Sequence, residues 1–402
     1  MNKGFWNAGH RPTLIAAFLY FDLAFMVWVL LGPLAPLISK DLHLSPAQKG
    51  FMVAVPTLAG ALLRIVNGLL VDRIGPKRTG AIGQLIVIGG LFSAYVLGVD
   101  SFGGTIALGV ILGFAGASFA VALPLASRWY PPQYQGTALG IAGMGNSGTV
   151  LAALFAPTLA KIFGWNAVLG LACIPLAIVF VIYLALAKDA PDAPAPMKLS
   201  AYLVPLKESD SWWFMLFYGV TFGGFVGLAA SLSIYFVDQF GLTPIVAGYC
   251  TAACVFAGSL VRPMGGALAD RIGGIKTLSI VYLVAAALLA TVSTGPKSLP
   301  IALGLFVLAM LTLGVGNGAV FQLVPQRFRK EIGVMTGLVG CAGGIGGFFL
   351  AWSLGLAKQW FGTPQAGFLV FAGLALIALG GVQMVKLRWR TTWGAAIVGV
   401  AI

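Results

Sequence analysis

Of the chain's 402 residues, 59% are hydrophobic and only 9% charged, too little polarity to clothe two or three soluble domains of that length. The formal charge of +13 would suit a nucleic-acid partner if Lys and Arg were gathered on one face, but they fall in short runs between apolar stretches, so none is expected. The four cysteines, Cys173, Cys250, Cys254 and Cys341, all lie within apolar stretches, where neither a disulfide framework nor a metal-ligand spacing is suggested.

A bilayer-spanning helix needs about 20 mainly apolar residues. Twelve such stretches are predicted, at 13–38, 46–71, 79–98, 103–126, 136–160, 165–187, 211–237, 245–269, 277–294, 299–325, 332–358 and 365–387. The first is long enough to span and leads into the multi-span pattern, so it serves as its own insertion signal. The polar, Pro-rich segment 188–210 follows the sixth span and reads as a cytosolic linker. It separates an N-terminal six-helix bundle, 1–187, from a C-terminal one, 211–387, with a tail at 388–402. With both termini in the cytosol, the cytosolic segments hold seventeen Lys and Arg and the opposite segments five, which satisfies the positive-inside rule. The expected setting is a multi-pass protein of the inner (plasma) membrane, bathed in lipid and working as a monomer.

In the first span Asp22 lies roughly 13 Å deep at 1.5 Å per residue. Arg64 in the second span lies roughly 12 Å in from Asp72, and Arg262 in the eighth the same distance in from Asp270. These three are the intramembrane charges, and each costs at least a few kcal/mol unless it works or is paired. With one acid for two arginines, an anion is the expected partner, because guanidinium offers a planar fork of donors suited to oxyanions. The same depth count brings Phe119 (fourth span), Asn146 (fifth), Tyr218 and Phe222 (seventh) and Asn317 (tenth) into one layer. A buried Asn must find hydrogen-bond partners, whereas ordinary packing would equally explain the two phenylalanines.

The chain is internally repeated at an offset of 198 residues, LRIVNGLLVDRIGPKR matching LVRPMGGALADRIGGIK through R-x3-G-x-L-x-D-R-I-G. Arg64 pairs with Arg262, and Asp72 and Arg73 with Asp270 and Arg271. A looser echo joins GIAGMGNSG, containing Gly143 and Gly145, to GLVGCAGGIGG, containing Gly340 and Gly344. Such glycines permit close helix approach, of use both to tight packing and to a rocking interface. No Walker loop, no H-E-x-x-H and no cofactor signature is present, so an enzyme is not expected.

Two six-span halves in the same orientation are the plan of major facilitator transporters, which bind substrate between the halves near the midplane. The two D-R-I-G loops resemble that superfamily's loop motif, whose acidic and basic residues are taken to latch the halves on the cytosolic side. Within the superfamily, GFAGASFAVALPLASRWYPPQYQGTALGIAGMGNSG at 113–148, GVGNGAVFQLVPQRF at 314–328 and TGLVGCAGGIGGFF at 336–349 resemble the signature regions of the nitrate/nitrite porter family. The resemblance covers nearly the whole chain. It implies that nitrate or nitrite binds between Arg64 and Arg262, with Tyr218, Phe222, Phe119 and Asn146 as contacts. It further implies alternating access, by proton-coupled nitrate uptake or by nitrate/nitrite exchange. Asp22 departs from the exchangers' pattern and is the candidate proton carrier, or else a fixed counter-ion. A carrier for a small carboxylate or phosphate is the rival reading. A non-transporting sensor or scaffold would need a large soluble output domain.

Overall fold

A computed structural model describes residues 5–191, 203–328 and 332–396; the middle of the expected linker, the end of the tail, and Arg329, Lys330 and Glu331 lie outside the described residues. Twelve helices are long and apolar enough to cross a membrane, and no strand occurs among the described residues. In chain order they are α1 (Arg11–Asp41), α2 (Pro46–Ile74), α3 (Pro76–Leu97), α4 (Phe102–Ser127), α5 (Ala138–Phe163), α6 (Trp165–Leu186), α7 (Ser209–Phe240), α8 (Pro244–Ile272), α9 (Gly274–Ser293), α10 (Leu299–Arg327), α11 (Ile332–Phe361) and α12 (Gln365–Thr391). An even number of spans returns both ends of the chain to one face, called here the terminal face; the other is the distal face.

Several helices are interrupted where the sequence removes or diverts backbone hydrogen bonds. α1 breaks after Trp28 because Pro33 has no N–H for the carbonyl of Val29. α8 breaks at Val261, just before Arg262-Pro263. α5 tightens into a 3-10 turn at Met144–Ser147. α4 breaks at Ala117 and Ser118 for a different reason. The N–H of Ala120 bonds to Ala117 rather than to Gly116, and the carbonyls of Gly116 and Ala117 accept side chains from α2 instead.

α11 lies between α2 and α7 and packs extensively on both, so it is the main contact of the C-terminal helices with the N-terminal ones. The approach is closest where neither helix has a side chain. A Cβ on Gly355 would meet the Cα of Gly50, one on Gly344 would meet Ala61 and the Thr57 carbonyl, and one on Gly32 of α1 would meet the backbone of Ala230 of α7. Along the same face of α11, toward the terminal side, Gly337 and Gly333 have open space where a Cβ would stand. The helices therefore converge from the terminal toward the distal face.

Ion pairs follow the same gradient. On the terminal face Asp72 pairs with Arg128 at the end of α4, while Asp210 collects Arg327, Arg388 and the Trp389 ring N–H at the ends of α7, α10 and α12. Each of these stays within α1–α6 or within α7–α12. On the distal face Lys49 of α2 bonds both carboxylate oxygens of Asp238 of α7 at 3.2 Å, the one ion pair among the described residues that joins the two sets.

Candidate anion site

Arg64 stands in the uninterrupted middle of α2 with 1% of its surface exposed. Its Nε donates to the Gly116 carbonyl of α4 at 3.2 Å and its Nη1 to the Gly340 carbonyl of α11 at 2.5 Å. One side chain thus reaches across the contact between the two sets of helices. Nη2 is buried and has no partner. The guanidinium carbon lies 5.4 Å from the Trp28 ring centre, 5.1 Å from Phe119 and 5.2 Å from Phe222, so aromatic faces rather than carboxylates surround the charge.

Arg262 begins the second segment of α8, where the break at Val261 frees it from a regular helical path. Its Nη2 donates to the Tyr218 hydroxyl at 3.0 Å, and its Nη1 is buried and unpartnered. Phe119, Phe222 and Phe321 lie 6.0, 5.9 and 5.8 Å from its guanidinium carbon. Phe119 and Phe222 therefore serve both arginines, which places the two cations in one aromatic chamber. Tyr218 stacks on Phe222 at 4.9 Å with ring planes 4° apart, and Phe321 meets Tyr218 edge-on. No described acid forms an ion pair with either arginine. Two cations, one buried and one partly exposed, each keep a buried, unused donor, a liability of roughly 1–3 kcal/mol per lost hydrogen bond that a small anion between them could relieve.

The remaining expected residues divide. Asn146 and Asn317 are buried, each with an unpartnered side-chain carbonyl oxygen, but neither bonds to an arginine. Asp22 is 8% exposed and accepts the Ser147 hydroxyl at 2.7 Å, so it sits against the 3-10 turn of α5 and forms no ion pair with either arginine. Gly145 packs on Phe21 and Asp22 of α1, Gly340 abuts Arg64, and Gly344 abuts α2, whereas Gly143 faces open space. Arg73, Asp270 and Arg271 are exposed, and Asp270 and Arg271 form no ion pair with another described residue.

Five residues contribute in ways not expected from sequence. Phe321 lines the Arg262 side and Trp28 the Arg64 side, the latter fixed by its ring N–H to the Pro56 carbonyl at 2.7 Å. Asn67, one turn from Arg64, donates to the Ala117 carbonyl at 3.2 Å and helps hold the α4 break. The Gly116 and Gly340 carbonyls complete the set. Asn67 alone carried a signal, as a buried amide three residues beyond an intramembrane arginine.

The family model described as the Major Facilitator Superfamily matches residues 16–351. A nitrite extrusion protein of Bacillus subtilis is 33% identical over 91% of this chain and 91% of its own length. The chain belongs to the nitrate/nitrite porter family of the major facilitator superfamily. Other relatives in that family are the probable nitrate/nitrite transporter NarK2 of Mycobacterium tuberculosis, 33% identical over 92% of this chain and 95% of its own. The probable nitrate/nitrite antiporter NarK1 of Thermus thermophilus is 32% identical over 92% and 90%. Among solved structures, a bacterial homolog of the human lysosomal transporter Spinster superposes with a TM-score of 0.69 at 18% identity, covering 93% of this chain and 96% of that one. The human organic anion transporter MFSD10 superposes with the same TM-score at 16% identity, covering 93% and 99%. These two share the fold. The chain is a multi-pass membrane protein of a transporter family and is not an enzyme.

Proposed function

We propose that this transporter carries nitrate and nitrite by alternating access, binding the anion between Arg64 and Arg262 in the inner membrane with the terminal face in the cytosol. The observation that carries the reading is the shared aromatic chamber, in which each guanidinium keeps one buried, unpartnered donor. A planar oxyanion can accept from both forks at once, and the close rings favour a small guest over a bulky carboxylate. The family membership and the names of the relatives support the identity of the guest. Helices converging on the distal face correspond to a conformation open toward the terminal side. In the opposite conformation Asp72, Arg73, Asp270 and Arg271 latch the terminal face, and the glycine contacts of α5 and α11 supply the surfaces that move. The decisive assay is uptake of labelled nitrate into proteoliposomes preloaded with nitrite: wild type exchanges, and Arg64→Lys or Arg262→Lys does not. Near-normal uptake in either variant sinks the arginine-pair site.

Exchange is the better supported mode, because an empty chamber holds two cations with no acid beside them and gains most from never crossing empty. Proton-coupled nitrate uptake stands as a second reading on one observation, a buried intramembrane carboxyl, Asp22, with no cation partner. For Asp22→Asn, exchange predicts unchanged stimulation of uptake by an imposed pH gradient, and symport predicts that the stimulation disappears.

A further inference from the structure

On the distal face three helical surfaces converge on a recess. α7 contributes Ser231, Ile234, Tyr235 and Asp238, α11 contributes Ala351, Leu354, Gly355 and Lys358, and α2 contributes Pro46, Lys49 and Gly50. In α7 and α11 those positions follow the i, i+3, i+4, i+7 spacing of a single helical face. Ser231 is 5% exposed and Tyr235 4% exposed, yet neither hydroxyl has a hydrogen-bond partner. An unsatisfied buried hydroxyl costs roughly 1–3 kcal/mol, and two on consecutive turns beside the same recess are unlike ordinary packing. Lys358 reaches the recess without an acid partner, and Lys49 reaches it while holding Asp238. Two ammonium groups against one carboxylate leave the lining with one net positive charge.

We infer that this recess is a second anion site, in which Lys358 and the Ser231 and Tyr235 hydroxyls receive a small monovalent oxyanion next to Lys49. A cation would meet two ammonium groups there, and a neutral guest would leave the Lys358 charge unanswered. Because Lys49 also fastens α2 to α7, an anion in the recess offers it an acceptor in competition with Asp238 and so loosens the distal closure. Anion arrival at this face is thereby coupled to opening of this face. The inference does not depend on the arginine pair being the central site.

The test uses the purified full-length chain in detergent, with unfolding temperature followed as potassium nitrate replaces potassium gluconate at constant ionic strength. In Arg64→Ala/Arg262→Ala a nitrate-dependent rise is expected to remain, and adding Lys358→Gln is expected to remove it. Absence of the rise in the first variant, or its persistence in the second, overturns the inference. Should the doubly substituted chain not fold, Lys358→Gln alone gives the answer through sided transport. In intact cells, where the distal face meets the medium, the half-saturating nitrate concentration is expected to rise roughly three- to tenfold, the scale of one charge-assisted hydrogen bond. In inverted vesicles it is expected to stay at the wild-type value. An equal change on both sides, or none, overturns the inference, whereas retained exchange in Arg64→Lys would instead overturn the central site.

Discussion

Arg64 and Arg262 occupy equivalent positions of a sequence repeat, yet their surroundings have diverged. Arg64 rises from a continuous helix, is shut off from solvent, and spends two of its donors on backbone carbonyls, one of them in α11. Arg262 starts a helix after a break, is partly exposed, and is held by one phenol. Backbone carbonyls cannot move without their helices, whereas a Tyr hydroxyl can turn away. The same residue type thus serves as a structural tie on one side of the chamber and as an adjustable arm on the other. Internal duplication fixes where a charge sits along a helix; it does not fix what that charge is bound to.

This contrast has measurable consequences. The largest effect is expected from Arg64→Lys, because an ammonium cannot bond Gly116 and Gly340 and still present a fork to an anion. Exchange should fall at least about a hundredfold, on the scale of roughly 3 kcal/mol for a lost charged interaction, and the unfolding temperature should fall with it. Arg262→Lys should abolish exchange comparably while leaving the unfolding temperature close to wild type. Equal thermal losses in the two variants would erase the distinction between tie and arm.

A smaller effect is expected from Gly340→Ala, whose Cβ would stand 3.3 Å from Nη1 of Arg64 and press on it where it bonds the Gly340 carbonyl. Exchange should drop roughly tenfold, with about 1–2 kcal/mol of stability lost, the scale of one hydrogen bond to a charged group. Denaturation in a urea or guanidinium series would register this, and a stability unchanged from wild type would show that the Arg64–Gly340 bond is dispensable. The smallest effect is expected from Tyr218→Phe, which keeps the stack on Phe222 and removes only the acceptor for Arg262. The half-saturating nitrate concentration should shift by a few-fold, about 1 kcal/mol or less, with maximal rate retained. A large loss of maximal rate would mean that the phenol does more than steady Arg262.

The twelve helices were legible because hydropathy and the expense of intramembrane charge are local properties, readable one residue at a time. The arginines, Tyr218, Phe119 and Phe222 came with them, since counting residues from a helix end yields a depth. Depth is only one coordinate. Which way a side chain points around its helix depends on neighbours, which is why Phe321 and Trp28 went unnoticed while Asn146 and Asn317, at suitable depth, make no bond to the arginines. Helix breaks divide on the same principle. The one in α8 is written locally in Pro263. The one in α4 is made by Arg64 and Asn67 drawing carbonyls out of line from another helix, so nothing within α4 announces it. The distal pair Lys49–Asp238 was equally hidden, because it joins two helices through residues 189 positions apart.

The glycine contacts between α2 and α11 bear on how fast such a molecule can change shape. Where Gly50 meets Gly355 and Gly344 meets Ala61, the two surfaces touch through main chain and single methyl groups, so no rotamer has to unlock before one helix rolls over the other. A joint of that kind behaves as a smooth bearing rather than as meshed gears. Its friction then comes chiefly from what surrounds it, and turnover should respond to the thickness and fluidity of the bilayer.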